Sequence, residues 1–572
     1  MDIKRNILWI VFCGSLFFLW NQWMISNGNP SFFAPTPPAA VSAKTDANGG
    51  KSDLPRTGAA AGSDAAAGSA PAGTAPEAVA VKRERITITT DIFKADINTQ
   101  GGELERLELL KFKDGVDPTK NEVLFDVSDK RTYLAETGLI GTAAGAAFPN
   151  HKTGFVAKPG ARSLDGGNEV QLVLEAEQGG VKLTKTYIFR RGDYVIGVRH
   201  QVSNVGAAPV TPSLYLQLVH DGNKPETNTY FTSSYTGPTV YTDAKKFEKL
   251  EFEKIEKFEK RKAELKAEGK PEQEAEHVTK ADDGWVAIVQ HFFVSAFLPQ
   301  DKVAREIYTE KVATNLYRVG VKLPLGTIAP GASVSMDARL YSGPQISTLL
   351  DQAAPGLDLV KDYGKLTVIA KPLFWFMDHI HGVLGNWGWT IIVFTILIKL
   401  AFFPLSAAGY RSMARMKLVT PKIQAIRERN KADPAKMNQA MMELYKTEKI
   451  NPLGGCLPIL VQMPVFLALY WVLQASVEIR NAPWVGWIHD LAAPDPWFIL
   501  PVLYAISMFA TAKLNPPPPD PMQAKMMLYM PLAFSVMFFF FPSGLVLYWV
   551  VNNVLSFGQQ WVITKKFEVA KK

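Results

Sequence analysis

The sequence is poor in cysteine. Cys13 and Cys456 are the two in 572 residues, and neither lies in the long polar stretch between them, so no disulfide framework holds that stretch. Phe12 is too bulky for the small residue that normally precedes a lipidated cysteine, which argues against that fate for Cys13. Strong net charge is also lacking: a balance of +8 is modest for this length and does not mark a dedicated nucleic-acid binder. Residues 27–285 contain few long uncharged runs, whereas 382–564 hold nearly all of them. Inside the five apolar segments found there, Asp and Glu are missing, although an ion-coupled transporter would be expected to carry them. A phosphate loop is missing too, because Gly49-Gly50-Lys51-Ser52 lacks the earlier glycine.

What is present points to a membrane. A hydrocarbon core of about 30 Å takes roughly 20 apolar residues as a helix. Ile7 to Trp23 supply such a run behind Lys4 and Arg5, so 1–26 reads as an N-terminal anchor with its start in the cytoplasm. The cleavage-like Val41-Ser42-Ala43 stands too far from that run for a signal peptide. Further spans are expected at 385–405, 457–477 and 497–512. From Met526 to Thr564 there is no charge over 39 residues, about 58 Å as one straight helix. That is about twice the membrane thickness, so the chain must fold back. Pro542-Ser543-Gly544 supplies the turn, giving spans 526–541 and 545–564.

Loop charges orient these six spans. Residues 406–455 carry ten Lys and Arg against four acids, whereas 478–496 carry Arg480 against Glu478, Asp490 and Asp495. The first loop is therefore expected in the cytoplasm and the second outside. The basic tail 565–572, with Lys565, Lys566, Lys571 and Lys572, returns to the cytoplasm.

Residues 27–81 are rich in Ala, Gly, Pro and Ser and read as a flexible tether. From 82 to 350 the pattern has period two, as in Ile86–Thr89, Val170–Glu175, Val181–Phe189, Tyr194–Val202 and Leu214–Val219, with Trp285–Leu298 and Tyr317–Leu323 continuing it. Many antiparallel strands with few helices predict a large β-sandwich outside the membrane. Within it, 245–276 is dense in Lys and Glu and reads as a solvated helical insertion, with a partner-binding arm as the sharper alternative. Residues 363–384 place Leu366, Ile369, Leu373, Phe376, Ile380 and Val383 at steps of three and four, a stripe that suits a helix lying in the bilayer surface. His379 and His381 fall on different helix faces and make a poor metal pair.

Lys399 carries the most information, because an ionisable group within a span is costly and normally faces the bundle interior or water. It lies about 9 Å from the expected span end at Leu405, within partial reach of a snorkelling stem. Thr395 shares its face, Trp549, Asn552 and Ser556 give the last span a similar polar side, and Gln462 adds an amide to another. Facing one another, these groups would line a wet groove. The loop 406–455 reads as a basic helical hairpin broken at Asn430–Asp433, with Asp433 capping a helix that starts at Pro434. Thirteen of the 16 Met lie between 377 and 537. Flexible thioethers suit varied apolar partners, and simple packing fits each Met equally well.

Four stretches then stand out: Asn451–Cys456 (NPLGGC), Gln462–Tyr470 (QMPVFLALY), Trp487–Leu491 (WIHDL) and Phe541–Tyr548 (FPSGLVLY). In order and spacing they resemble the signatures of the YidC/Oxa/Alb membrane protein insertases, from about 360 to 565. Asp283–Ala287 (DGWVA) resembles the periplasmic domain of the Gram-negative branch, and the 245–276 insertion departs from it. The resemblance implies a polytopic α-helical membrane protein with a five-helix insertase core and an all-β periplasmic supersandwich, in the inner membrane. It implies a non-enzymatic insertase and chaperone without cofactor or metal. Its partners would be nascent membrane proteins, the ribosome, Sec translocon components and lipids, with no specific nucleic-acid sequence. It places the family's basic groove residue, Arg in many relatives, on Lys399, and a lipid-facing slide at Met463, Phe466 and Trp549. The rival readings are a polytopic solute transporter with a periplasmic binding domain and a periplasmic sugar-processing enzyme, for which no paired-carboxylate motif stands out.

Overall fold

The computed structural model describes Leu54 and residues 83–141, 147–223, 235–271, 275–430, 433–448, 457–515 and 521–569. The expectations for the anchor at 1–26 and nearly all of the tether at 27–81 lie outside these residues, as do Asn451–Cys456 and the last three residues of the tail.

The polar half folds into two antiparallel sheets, one of ten strands and one of nine. Pro212–Asp221 lies at the heart of the first, between Thr132–Gly141 and Leu316–Pro324, and all ten of its residues are buried. Ser333–Pro344 holds the same place in the second, between Phe293–Pro299 and Val195–Asn204. Alternation sends Leu216, Leu218, Val319 and Val321 inward to meet Val198, Val286, Ile288 and Leu340 in one core. The opposite face of the first sheet is polar. Gln217 sits directly across from Glu136 on one side and Gly320 on the other, and Gly320 faces Tyr308. The bare Gly320 lets the Tyr308 hydroxyl cross it and donate to Gln217 Oε1 at 2.7 Å; a Cβ there would stand 2.5 Å from that hydroxyl.

Strands at Glu103–Lys113 and Thr132–Gly141 extend the first sheet beyond the segments the alternation picked out. The charged insertion is also only partly a helix. Lys246–Lys249 pairs as a strand with Gly237–Thr242, and α1 runs from Phe252 to Ala267. Phe247 therefore belongs to the strand, while Phe252 and Ile255 pin the start of α1 on the sandwich beside Tyr317.

Buried histidine makes this domain sensitive to acid. His200 is fully buried, with Nε2 2.9 Å from Thr137 Oγ1. Burial, then the nearby Lys185 ammonium, push it from its ordinary 6.5 down to about 3. The unfolded chain takes this proton below about pH 6.5 and the folded chain does not, so the stabilisation is complete above 6.5 and is lost as pH falls toward 3. At about 1.36 kcal/mol per unit, the loss at pH 5 is roughly 2 kcal/mol. Thermal melts at pH 7 and 5 should show it, and His200→Gln should narrow the difference; equal narrowing at a surface histidine would contradict this assignment.

The chain leaves the sandwich through α2 (Ser347–Ala353) and a 3-10 turn at Leu357–Val360, with Leu350, Leu357 and Val360 in the sandwich core. Gly284, at φ +85°, brings the Trp285 segment against the Tyr241 carbonyl, where a Cβ would come within 1.9 Å. Trp285 Nε1 then donates to Pro355 O at 3.0 Å, fixing the exit.

Among the described residues eight helices follow: α3 (Thr367–Leu384), α4 (Trp387–Ala401), α5 (Phe403–Arg429), α6 (Pro434–Thr447), α7 (Leu457–Ala475), α8 (Ile499–Leu514), α9 (Pro521–Ser535) and α10 (Ser543–Val569). Several depart from expectation. The span expected at 385–405 breaks at Phe402, where Pro404 opens α5 at 68° to α4. Among the described residues no single helix is long and apolar enough to cross a membrane, and α4 with α5 meets that requirement only as a bent pair. The segment expected at 526–541 is α9 followed by a 3-10 turn at Val536–Phe540. The stripe on α3 packs on protein instead of facing outward: Leu366, Ile369, Leu373, Phe376 and Ile380 rest against the helical core, while Val383 is exposed. Its outer side shows Val368 and Trp375.

Helices α5 and α6 pack on each other as a hairpin. Asp433 caps α6 by accepting from Ala435 N and Lys436 N. Val419 and Ile423 of α5 pack with Met416, Met441, Leu444 and Tyr445, so Met416 and Met441 are packing residues, whereas Met442 is exposed.

Candidate functional site

Lys399 stands two residues from the end of α4, about 3 Å along the axis, yet its side chain turns into the bundle. It is 3% exposed. Its ammonium donates to Ser556 Oγ on α10 at 2.7 Å, and Ser556 donates in turn to Asn552 O at 2.7 Å. The Tyr410 hydroxyl of α5 lies near the same serine. The 68° bend at Phe402 makes this possible, because it turns the start of α5 beneath α10. Snorkelling is thus replaced by a specific partner. An ammonium has three donors; Ser556 takes one, and among the described residues no carboxylate pairs with this cation.

Thr395, Lys399, Gln462 and Asn552 bound one pocket, with Ile398 and Tyr548 as apolar wall. It is narrow: the space open to a water-sized sphere is about 10 Å³, roughly what a single water needs. A polypeptide segment does not fit unless α7 and α10 part. Thr395 is buried and spends its hydroxyl on Ile391 O at 2.6 Å, so it supplies shape and a polar edge, not a free donor.

The remaining expected groove residues are placed differently. Phe466 stacks on Trp549 at 5.2 Å and 23°, and Trp549 also meets Phe538 and Phe541 edge-on. Trp549 is 6% exposed, so it is a packed wall and no sliding surface in this conformation. Met463 turns away from the pocket and is 44% exposed, next to the exposed Leu467. Sequence reasoning missed Tyr410 altogether, since it sits in a segment read only as the cytoplasmic hairpin; its signal is an aromatic hydroxyl eleven residues after the buried lysine, visible once the bend is known.

Two of the signature stretches, Trp487–Leu491 and Phe541–Tyr548, meet at the other end of the bundle. Ser543 N donates to Ala493 O at 2.7 Å and Gly544 N to Leu491 O at 2.8 Å, so the turn before α10 is tied to the loop after α7. Asp495, 1% exposed, accepts from Trp487 Nε1, Trp497 N and Leu500 N at 2.8–3.0 Å.

Comparison with known proteins identifies the family. The YidC periplasmic domain family matches residues 85–376, and the 60Kd inner membrane protein family matches 379–571. The membrane protein insertase YidC of Janthinobacterium sp. (strain Marseille) is 58% identical over the whole of both chains. That of Herminiimonas arsenicoxydans is 57% identical over 99% of each. The chain belongs to the YidC membrane protein insertase family. It is a membrane protein with an insertase function and no enzymatic one, its substrates are newly made membrane proteins, and the relatives give no support to a solute transporter. Its fold is the family's, a periplasmic β-sandwich of two antiparallel sheets joined to a helical C-terminal region. A crystal structure of an active YidC insertase with its first transmembrane domain resolved matches 84% of this chain and 93% of its own, at 18% identity and a TM-score of 0.36.

Proposed function

We propose that this insertase works through the pocket around Lys399, which receives a polar segment of the substrate part-way across the inner membrane. The observation that carries this reading is a buried ammonium held by one serine hydroxyl beside a narrow polar pocket. Two further donors are available to water or to acceptors on the substrate. Gln462 and Asn552 offer amides at the same level. The substrate's apolar segment then leaves along the outer side of α7, past Met463 and Leu467, into lipid. Transfer of apolar surface supplies the drive, at about 0.8 kcal/mol per buried CH₂, so no nucleotide is consumed.

In this reading the sandwich lies in the periplasm, both termini and the α5–α6 hairpin lie in the cytoplasm, and the hairpin and basic tail meet the nascent chain at the ribosome, with or without the Sec translocon. The ten basic residues of 406–455 support that orientation. The test is insertion of a short single-span protein into liposomes holding only the purified chain. Protease-protected product is expected without nucleotide or Sec components. Product that forms only when Sec is added would refute autonomous insertion.

A further inference from the structure

Among the described residues the sandwich and the helical bundle are joined at two places. The covalent connection runs through Lys361 into α3. The second junction is the 3-10 turn Val477–Ile479 beyond the end of α7. Val477 is 1% exposed and belongs to the sandwich core, whereas Ile479 belongs to the core of the bundle. Around this plug the contacts are polar and buried. Arg480 Nη2 donates to Glu122 Oε2 and to Lys113 O of the sandwich, both at 2.6 Å, and its guanidinium lies 5.2 Å from the Phe293 ring centre. The two side chains are 7% and 17% exposed. His291 Nε2 meets Gln474 O at 2.9 Å. Lys361 pairs with Glu478 at 2.9 Å while only 1% exposed, which locks the two junctions to each other.

A single covalent link would leave the sandwich free to swivel, and two points of attachment remove that freedom. The plug grips the last turn of α7. Gln462 lies twelve residues back along the same helix, about 18 Å away. A 10° change in the tilt of α7 therefore moves Gln462 by about 3 Å, enough to alter a pocket as narrow as this one. We infer that the sandwich fixes the tilt of α7 through Arg480–Glu122 and Lys361–Glu478, and so sets the separation of α7 from α10 at the groove. Arg480 and Glu478 are positioning residues, since neither borders the pocket. Breaking a buried pair by removing one partner leaves an uncompensated charge, which is why the plug is the point where this coupling fails first. The inference rests on the groove reading above for its consequence, but its geometry does not.

The experiment measures the helix separation directly. Spin labels on cysteines at Leu467 of α7 and Val554 of α10, both exposed and outside the pocket, report the distance by pulsed electron resonance in nanodiscs. Arg480→Gln and, from the sandwich side, Glu122→Gln should each broaden the distribution and shift it by about 3 Å, with a several-fold loss of insertion. The exchange Arg480→Glu with Glu122→Arg should restore both. Lys399→Met should leave the distances unchanged, so failure of the groove reading is seen separately from failure of this one. Distributions in Arg480→Gln and Glu122→Gln that superimpose on the parent's overturn the inference, whatever insertion does.

Discussion

Replacing Lys399 with methionine should lower insertion of single-span substrates about ten- to hundredfold, the equivalent of one lost charge-assisted hydrogen bond at about 1.5–3 kcal/mol. Methionine keeps nearly the length and volume of the lysine stem, so the space the stem fills stays filled. Stability should not fall, because the cation has a single hydroxyl partner and its desolvation is relieved. Lys399→Arg should retain most activity if attraction to charge is what matters, since arginine adds a planar fork to the same charge. Ser556→Ala should have a smaller effect than Lys399→Met, as it frees the ammonium instead of removing it. Yields of protease-protected product at matched protein levels check all three. Normal insertion by a stably folded Lys399→Met protein would refute a required charge.

Asp495→Ala should have the largest effect on stability. The carboxylate is almost completely buried and accepts three hydrogen bonds, one from the Trp487 indole and two from the backbone where α8 begins. Alanine leaves all three donors without an acceptor in a site with little room for water. Hydrogen bonds to a charged group are worth about 1.5–3 kcal/mol each, and part of the cost is recovered by no longer burying the charge, so a net loss on the order of 3 kcal/mol is expected. Phe498, just before α8, has φ +56° and depends on the same bonds. Thermal unfolding in detergent reads the effect. Asp495→Asn should lose less, and Asp495→Ala melting within a degree of the parent would contradict the role.

How far the sequence carries can be traced residue by residue. Alternation located most of the central strands, because one face of each packs on the core and the other does not. It failed at Thr132–Gly141, where Leu134 and Ile140 are buried on the polar side as well, so the period is lost. The helical reading of 245–276 misassigned Phe247, because the strand at Lys246–Lys249 is specified by its pairing to Gly237–Thr242 and by nothing local. In the membrane half, the absence of charge outlined the apolar segments but could not show the bend at Phe402, which requires only that the chain turn before Pro404. That bend shapes the site: it lays the start of α5, with Tyr410, against α10. The polar faces carrying Thr395, Lys399, Asn552 and Ser556 were legible because residues three, four and seven apart share a helix side. Which of them point to the same space was not. Arg480 and Glu122 are 358 residues apart, and in the sequence each is merely a charge in a loop or a strand.

The pocket around Lys399 is the centre of the functional reading, and a crosslink reads it most directly. A photoreactive phenylalanine analogue placed at Gln462 or Asn552, and separately at Met463, is exposed to light with a ribosome-stalled nascent chain whose polar segment and apolar segment carry different tags. The groove reading predicts that positions 462 and 552 capture the polar segment and that position 463 captures the apolar one. Capture of the apolar segment at 462 and 552, or no capture there while 463 reacts, would contradict it.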